Sequence, residues 1–225
     1  MSAFVRPDMT TRERYRKTIE YFSVNMPVAA TELSYSDPFE LIVAVILSAQ
    51  CTDKRVNMIT PALLERYPDA ESMAKAEQPD VLQFIKSCSY PNNKAKHLVA
   101  MARMLVSEFG GVVPSDPSEL QKLPGVGRKT ANVVASVVYS KPVMAVDTHV
   151  FRVSARIGLT RNARTPLSAE LQLSTYIPQS MIHKAHHWLI LHGRYVCKAR
   201  TPLCGECGLR EFCRYYMEKN RQKYV

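Results

Sequence analysis

No stretch of 18 or more apolar residues occurs in the 225-residue chain, which excludes a membrane-spanning helix. The N-terminal Met1-Ser-Ala-Phe-Val-Arg-Pro-Asp8 lacks the apolar segment of a secretory leader. No segment alternates apolar and polar residues over strand lengths. No Asn-Gly or Asp-Gly pair is present to turn a hairpin, so a β-sheet is not expected. Internal repeats and low-complexity linkers are absent. Acidic residues are in the minority, with 20 Asp and Glu against 30 Lys and Arg, a net charge of +10. That excess predicts an anionic partner, and for a basic protein without a membrane span nucleic acid is the commonest one. Cysteine is limited to 6 residues. With no leader, the thiols are expected to stay reduced in a cytoplasm-like compartment.

What is present is helical patterning. Hydrophobic residues make up 46% of the chain, enough to bury the core of one large domain or two small ones. In 93–109, Ala95, Leu98, Val99, Ala102, Leu105, Val106 and Phe109 recur at steps of three and four, giving one apolar face. Asp37-Pro38 supplies a cap followed by a first-turn proline. The run Leu41 to Leu47 behind it is apolar all round and predicts a buried central helix. Further helices are expected near 10–24, 53–66, 78–87, 116–122, 128–139, 149–157, 167–175 and 180–192. The fold class is therefore all-α with short connections.

Four cysteines, Cys197, Cys204, Cys207 and Cys213, stand in the spacing C-x6-C-x2-C-x5-C, amid basic and aromatic residues. Zinc modules usually pair their ligands as two close doublets, often with His. Here one doublet is flanked by two single cysteines, and no His lies within the run. Soft thiolates around one compact centre suit an iron–sulfur cluster better. A disulfide pair or chance clustering is the competing reading. Cys51 and Cys88 lie in apolar or mixed helical segments and read as ordinary buried thiols.

A second motif is Leu123-Pro-Gly-Val-Gly-Arg-Lys-Thr-Ala131, between two helical stretches. Gly125 and Gly127 permit a tight turn with exposed backbone, which feeds into a helix from Arg128. Successive amides at a helix start bind phosphate without side chains. Such contacts fix position without reading base sequence. A plain helix–helix turn would use the same glycines.

This string resembles the helix–hairpin–helix motif of the DNA glycosylase superfamily. The segment Val146-Asp147-Thr148-His149-Val150-Phe151-Arg152 resembles the one that carries the superfamily's catalytic Asp. The cysteine spacing is similar to the 4Fe–4S loop of the iron–sulfur branch. Leu47-Ser-Ala-Gln50 and His187-Trp-Leu-Ile-Leu-His-Gly-Arg194 extend the resemblance over roughly residues 12–215. It implies two helical domains with a DNA-binding cleft between them. One is a six-helix barrel over 31–141 with the hairpin. The other combines 1–30 with 142–225 and carries the cluster.

The resemblance also implies roles. Lys129 would be the nucleophile of a bifunctional enzyme, and branches that only remove the base commonly lack it. The helix dipole and the adjacent Arg128 disfavour an ammonium at that position, and a nucleophile needs the neutral amine. Asp147 is the one carboxylate between Lys122 and Leu167. It reads as a helix N-cap, and in the family it faces the sugar, assisting deprotonation and steadying cationic charge. The partner would be double-stranded DNA containing oxidised pyrimidines or abasic sites, bound by a monomer, cytoplasmic and associated with the bacterial nucleoid. Gln50 would fill the gap left by the flipped base. The second wedge loop departs from the family's leucine-bearing one. It reads Ser89-Tyr90-Pro91-Asn92-Asn93, which makes Tyr90 the candidate wedge. Lys198 and Arg200, between the first two cluster cysteines, would meet phosphates. His149, His187, His192 and Trp188 read as structural. Three alternatives compete: a mismatch glycosylase of the same superfamily, a non-catalytic helix–hairpin–helix module, and an iron–sulfur electron carrier.

Overall fold

The computed structural model describes residues 9–221, so the N-terminal segment 1–8 lies outside the described part. Among the described residues every regular element is helical. In chain order these are α1 (Thr11–Asn25), α2 (Pro38–Ser48), α3 (Asp53–Arg66), α4 (Ala70–Ala74), α5 (Gln78–Ile85), α6 (Pro91–Phe109) and α7 (Pro117–Leu120). Then come α8 (Arg128–Tyr139), α9 (Thr148–Ile157), α10 (Pro166–Tyr176), a 3-10 turn (Gln179–Met181), α11 (Ile182–Tyr195) and α12 (Arg214–Arg221). No described helix is long and apolar enough to cross a membrane. The all-α expectation holds. Two helices went unforeseen. α4 has only 5 residues, too short to show periodicity, and rests on a capping box between Asp69 and Ser72. α12 is mostly polar and charged, and Arg156 stacks over its Tyr215 ring at 4.9 Å.

The chain divides into two compact units. One is Thr31–Val143; the other draws on the segment up to Ala30 and the segment from Met144 onward. In the first unit, Asp37 caps α2 by accepting from Glu40 N at 2.9 Å, with Pro38 in the first turn. Leu41 through Leu47 are all buried, as the uninterrupted apolar run predicts. Each Leu, Ile or Val side chain in the run contributes about 1.5–3 kcal/mol on removal from water. Helices α3, α6 and α8 pack on α2, and α7 packs on α8, so the hairpin's two flanking helices are held together.

The second unit closes around Trp188, only 2% exposed. Its ring stacks on Phe22 at 5.7 Å, and its indole N–H donates to Met26 O at 2.7 Å. α1 thus completes a core otherwise built from the chain's last third. Arg14 is buried and donates to Ile157 O at 3.2 Å and to Phe212 O. A buried guanidinium needs such acceptors, because an unpaired one would cost several kcal/mol. His187 and His192 are buried too, as a structural role requires. Burial pushes both imidazoles down to about 4, with the charges of His183 and Arg194 adding to the effect on His187.

Candidate active site and iron–sulfur centre

The hairpin turns at Leu123–Gly127. Val126 N donates to Leu123 O at 3.0 Å, and Gly125 takes φ +82°. A side chain there would also place its Cβ 2.8 Å from His97 Cβ, so backbone and space both demand glycine. Gly127 differs. It is the N-cap of α8 with φ −86°, and a Cβ added to it would meet nothing within 4 Å. Neither strain nor neighbours within the chain require glycine at this position. The cap offers no side chain to the first-turn amides of α8. Lys129 stands exposed in that same turn, beside Arg128. The arrangement presents amide donors, the basic side chain of Arg128 and an open backbone surface together, which suits a phosphate backbone passing close by.

Asp147 caps α9, its Oδ1 accepting from Val150 N at 2.8 Å. Oδ2 lies 3.2 Å from His149 Nδ1, and the Asp147 side chain keeps 18% exposure. The segment before the cap is also fixed. His186, buried in α11, donates its Nδ1–H to Ala145 O at 2.8 Å. Gly193 lets α11 approach α9, with a hypothetical Cβ only 3.0 Å from His149 Cβ and from Val153 Cγ2. The carboxylate is therefore held by its own helix, and the backbone just before it by the helix packed on α9.

The four C-terminal cysteines are free thiols that line one part-open pocket. Ile157, Leu203, Leu209 and Tyr216 help to line it. Among the described residues no group of three or more His, Cys, Asp or Glu is drawn together for a single metal ion. All four thiols line this one pocket, and a donor set that is all sulfur suits an iron–sulfur cluster. Burial pushes the Cys213 thiol up to about 11, and the Cys207 and Cys197 thiols add to the effect. The Cys207 thiol is also raised, first by burial and then by Cys197 and Cys204. Four thiolates in such a pocket need a multivalent cationic centre, so loading expels protons.

Residues 43–179 match the HhH-GPD superfamily of base excision DNA repair proteins. Residues 197–213 match the iron-sulfur binding domain of endonuclease III. Endonuclease III of Rickettsia felis is 49% identical over 200 residues, 89% of this chain and 93% of that protein. The chain belongs to the endonuclease III family. The Bacillus subtilis endonuclease III is 46% identical, over 88% of this chain and 91% of its own. A solved structure of a trapped endonuclease III–DNA covalent intermediate superposes with a TM-score of 0.89 at 42% identity, covering 95% of this chain and all of that one. The cofactor is accordingly a 4Fe–4S cluster.

In this endonuclease III family member, two arginines of α9 tie the helix capped by Asp147 to the cluster loop. Arg152 donates to Gly193 O at 2.9 Å and to Cys197 O at 3.3 Å. Arg156 donates to Lys198 O and Ala199 O, both at 2.7 Å, and lies 3.6 Å from Cys197 Sγ. Lys198 and Arg200 themselves are exposed. Neither arginine was a candidate on sequence, because its acceptors lie 41 to 45 positions away.

The two candidate wedge residues share a second construction, within the unit Thr31–Val143. Gln50 and Tyr90 both adopt left-handed backbone at φ 54°, and both are exposed, Tyr90 to 63%. Such backbone is uncommon for non-glycine residues and persists only where the surroundings fix it. Here Ser89 Oγ–H donates to Gln50 O at 2.6 Å. Lys94, just 5% exposed, reaches from α6 to the end of α2, donating to Leu47 O at 2.8 Å and to Ala49 O at 2.7 Å. Its amine caps carbonyls that have no intrahelical partner. The structure thereby brings Gln50 and Tyr90 into one stapled pair of loops. Nothing in the pattern of either segment signals this.

Proposed function

We propose that this base excision DNA repair glycosylase and abasic-site lyase removes oxidised pyrimidines from double-stranded DNA through Lys129 and Asp147, and that it acts as a monomer. What carries the reading is an exposed lysine in the first helical turn behind the hairpin, in a chain whose relative forms a covalent intermediate with DNA. A covalent intermediate needs a nucleophile, and Lys129 supplies one.

The Lys129 amine, in its neutral form, attacks C1′ of a flipped nucleotide. The N–C1′ bond forms as the glycosidic bond breaks, and the base leaves with the bonding pair and acquires a proton. The nitrogen loses its proton and the sugar ring opens, leaving an imine. That imine acidifies the C2′ proton, whose removal expels the 3′ oxygen in β-elimination. Hydrolysis of the imine returns the lysine. Asp147 assists deprotonation of the amine and stabilises the positive charge on the sugar as the base departs. Its bond from Val150 N supports an ionised carboxylate fixed in orientation. Flipping costs unstacking energy, which is least for a damaged base. Gln50 and Tyr90 fill the space that the base vacates.

Amides and side chains at Gly125, Gly127 and Arg128, together with Lys198 and Arg200, take the phosphates. Cys197, Cys204, Cys207 and Cys213 hold the cluster, which when bound supplies a multivalent cationic anchor for four thiolates. The folding of their loop, and the aim of Lys198 and Arg200, depend on that anchor.

Borohydride trapping on DNA with a pre-formed abasic site tests the assignment. Lys129→Ala should abolish trapping and strand cleavage. Binding to abasic-site DNA should stay within about tenfold, or 1.4 kcal/mol. Undiminished trapping in that variant would reject Lys129 as the nucleophile.

A further inference from the structure

Cys51 and Cys88 lie far from the cluster in sequence, and both belong to the unit Thr31–Val143. Read separately, each is an ordinary core thiol. The fold brings their Sγ atoms to 3.8 Å, in direct contact, at the root of the stapled loops. Cys51 directly follows Gln50, and Cys88 lies two residues before Tyr90. Cys51 is half-buried and Cys88 is 5% exposed.

We propose that Cys51 and Cys88 form an oxidisable dithiol, a modification site for low-molecular-weight disulfides, whose closure shuts down the DNA-gripping loops. The functional half of this statement rests on the reading of Gln50 and Tyr90 as DNA contacts. The chemistry is thiol–disulfide exchange. The accessible Cys51 thiolate attacks a small disulfide, forming a mixed disulfide and releasing one small thiol. Cys88, already in contact, then attacks the Cys51 sulfur and releases the second. Two protein thiols are oxidised to one disulfide and one small disulfide is reduced to two thiols, which carry off the protons. The order follows from exposure. It also follows from the state of Cys88, whose thiol is pushed up to about 11, chiefly by burial. The ammonium of Lys94 pulls the other way and favours the second step.

Bonding would shorten the sulfur separation by about 1.8 Å, from contact to a disulfide. The α2 side of the loop is anchored, because Lys94 holds Leu47 O and Ala49 O. Movement therefore falls on 50–51 and 88–90, where Gln50 and Tyr90 are already in left-handed backbone and joined by the Ser89–Gln50 bond. A shift of that size changes the spacing of the two wedges. It leaves the cysteines of the other unit untouched.

The test uses the cluster-loaded protein incubated with oxidised glutathione, compared with Cys88→Ala and Cys51→Ser. Peptide mapping should recover a Cys51–Cys88 cross-link in the wild type. Excision of an oxidised pyrimidine from duplex DNA should fall about tenfold and return with dithiothreitol, while cluster absorbance stays constant. Either variant should be insensitive to oxidised glutathione. Absence of the cross-link with the cluster intact would overturn the site. An equal loss of excision in Cys88→Ala, or a cross-link without loss, would overturn the gating. Failure of the underlying reading is distinguishable in fully reduced protein, where Gln50→Ala and Tyr90→Ala would then excise as well as the wild type, and Lys129→Ala would keep its borohydride trapping if the lysine reading failed.

Discussion

Replacing Lys94 by Met tests whether the staple beneath Gln50 matters to the reaction. Each of its two hydrogen bonds joins a charged donor to a carbonyl, and such bonds contribute about 1.5–3 kcal/mol net. Against them stands the cost of taking an ammonium out of water, which is several kcal/mol. Desolvation is indeed the largest influence on this amine, and it lowers its pKa. Met matches the lysine stem and restores no donor. It removes the desolvation cost but leaves the carbonyl at Leu47, a buried residue, unpaired, a loss of about 1–3 kcal/mol. The net expectation is destabilisation of about 1–3 kcal/mol, read by urea unfolding. The loosened 49–51 segment should cost duplex base excision about tenfold to a hundredfold, as a misplacement near 1 Å does. Trapping at a pre-formed abasic site should fall less, since no base remains to be flipped. The alkaline limb provides a second check. Because the folded amine titrates below the unfolded one, the unfolded chain binds more protons between those two values. Wild-type stability therefore gains with rising pH in that window, fully so above the unfolded value, and the gain is lost as pH falls through the folded one. The Met variant should lack this slope. Unchanged stability together with unchanged excision would refute the argument.

Asp147→Asn should lower base excision far more than cleavage of a pre-formed abasic site, because base departure creates most of the charge to be stabilised; paired single-turnover assays decide it. Gly125→Ala should destabilise by about 1–2 kcal/mol from strain alone. Gly127→Ala should leave stability within about 0.5 kcal/mol yet weaken DNA affinity, measured by anisotropy. Neutralising Lys198 or Arg200 should reduce the log–log salt slope of binding by about one unit, with iron content and lesion preference unchanged. His187, near 4 when folded against 6.5 when unfolded, binds its proton only in the unfolded chain between those values. Stability should therefore fall as pH drops through that window, by about 2 kcal/mol from pH 7 to pH 5 for this residue. A non-titrating His187→Gln variant should show that much less acid sensitivity.

The helices were largely legible because their signals are local. Asp37-Pro38 marks the start of α2, and the apolar steps of Leu98, Ala102 and Leu105 trace the buried face of α6. The thiolate motif and the Leu123–Ala131 hairpin string were equally readable, since spacing within a short segment carries their chemistry. What stayed hidden is long-range. Lys94 finds its acceptors 45 and 47 positions upstream, and Arg156 finds its own 42 and 43 positions downstream. No local pattern encodes such partners. The same reason hid the contact between Cys51 and Cys88, whose flanking residues give no sign of one another. The left-handed backbone of Gln50 and Tyr90 was also beyond reach, because neither is a residue type that favours it.

Arg14 has a consequence for how the protein is made. Its acceptors at Ile157 and Phe212 are added 143 and 198 residues later. At ribosomal speeds of about 5–20 residues per second, α1 waits roughly 10–40 s for the later of them. The intervening unit, Thr31–Val143, is contiguous and can close during that interval. Tyr15 and Phe22, which end up at 2% and 1% exposure, meanwhile have no core to enter. Iron loading waits on the same schedule, since Cys213 emerges directly after Phe212. A ribosome stalled between Val143 and Cys197 would thus release a chain with its hairpin and lysine formed, its first helix unsheltered and no cluster. Such a fragment is a natural client for chaperones and proteases.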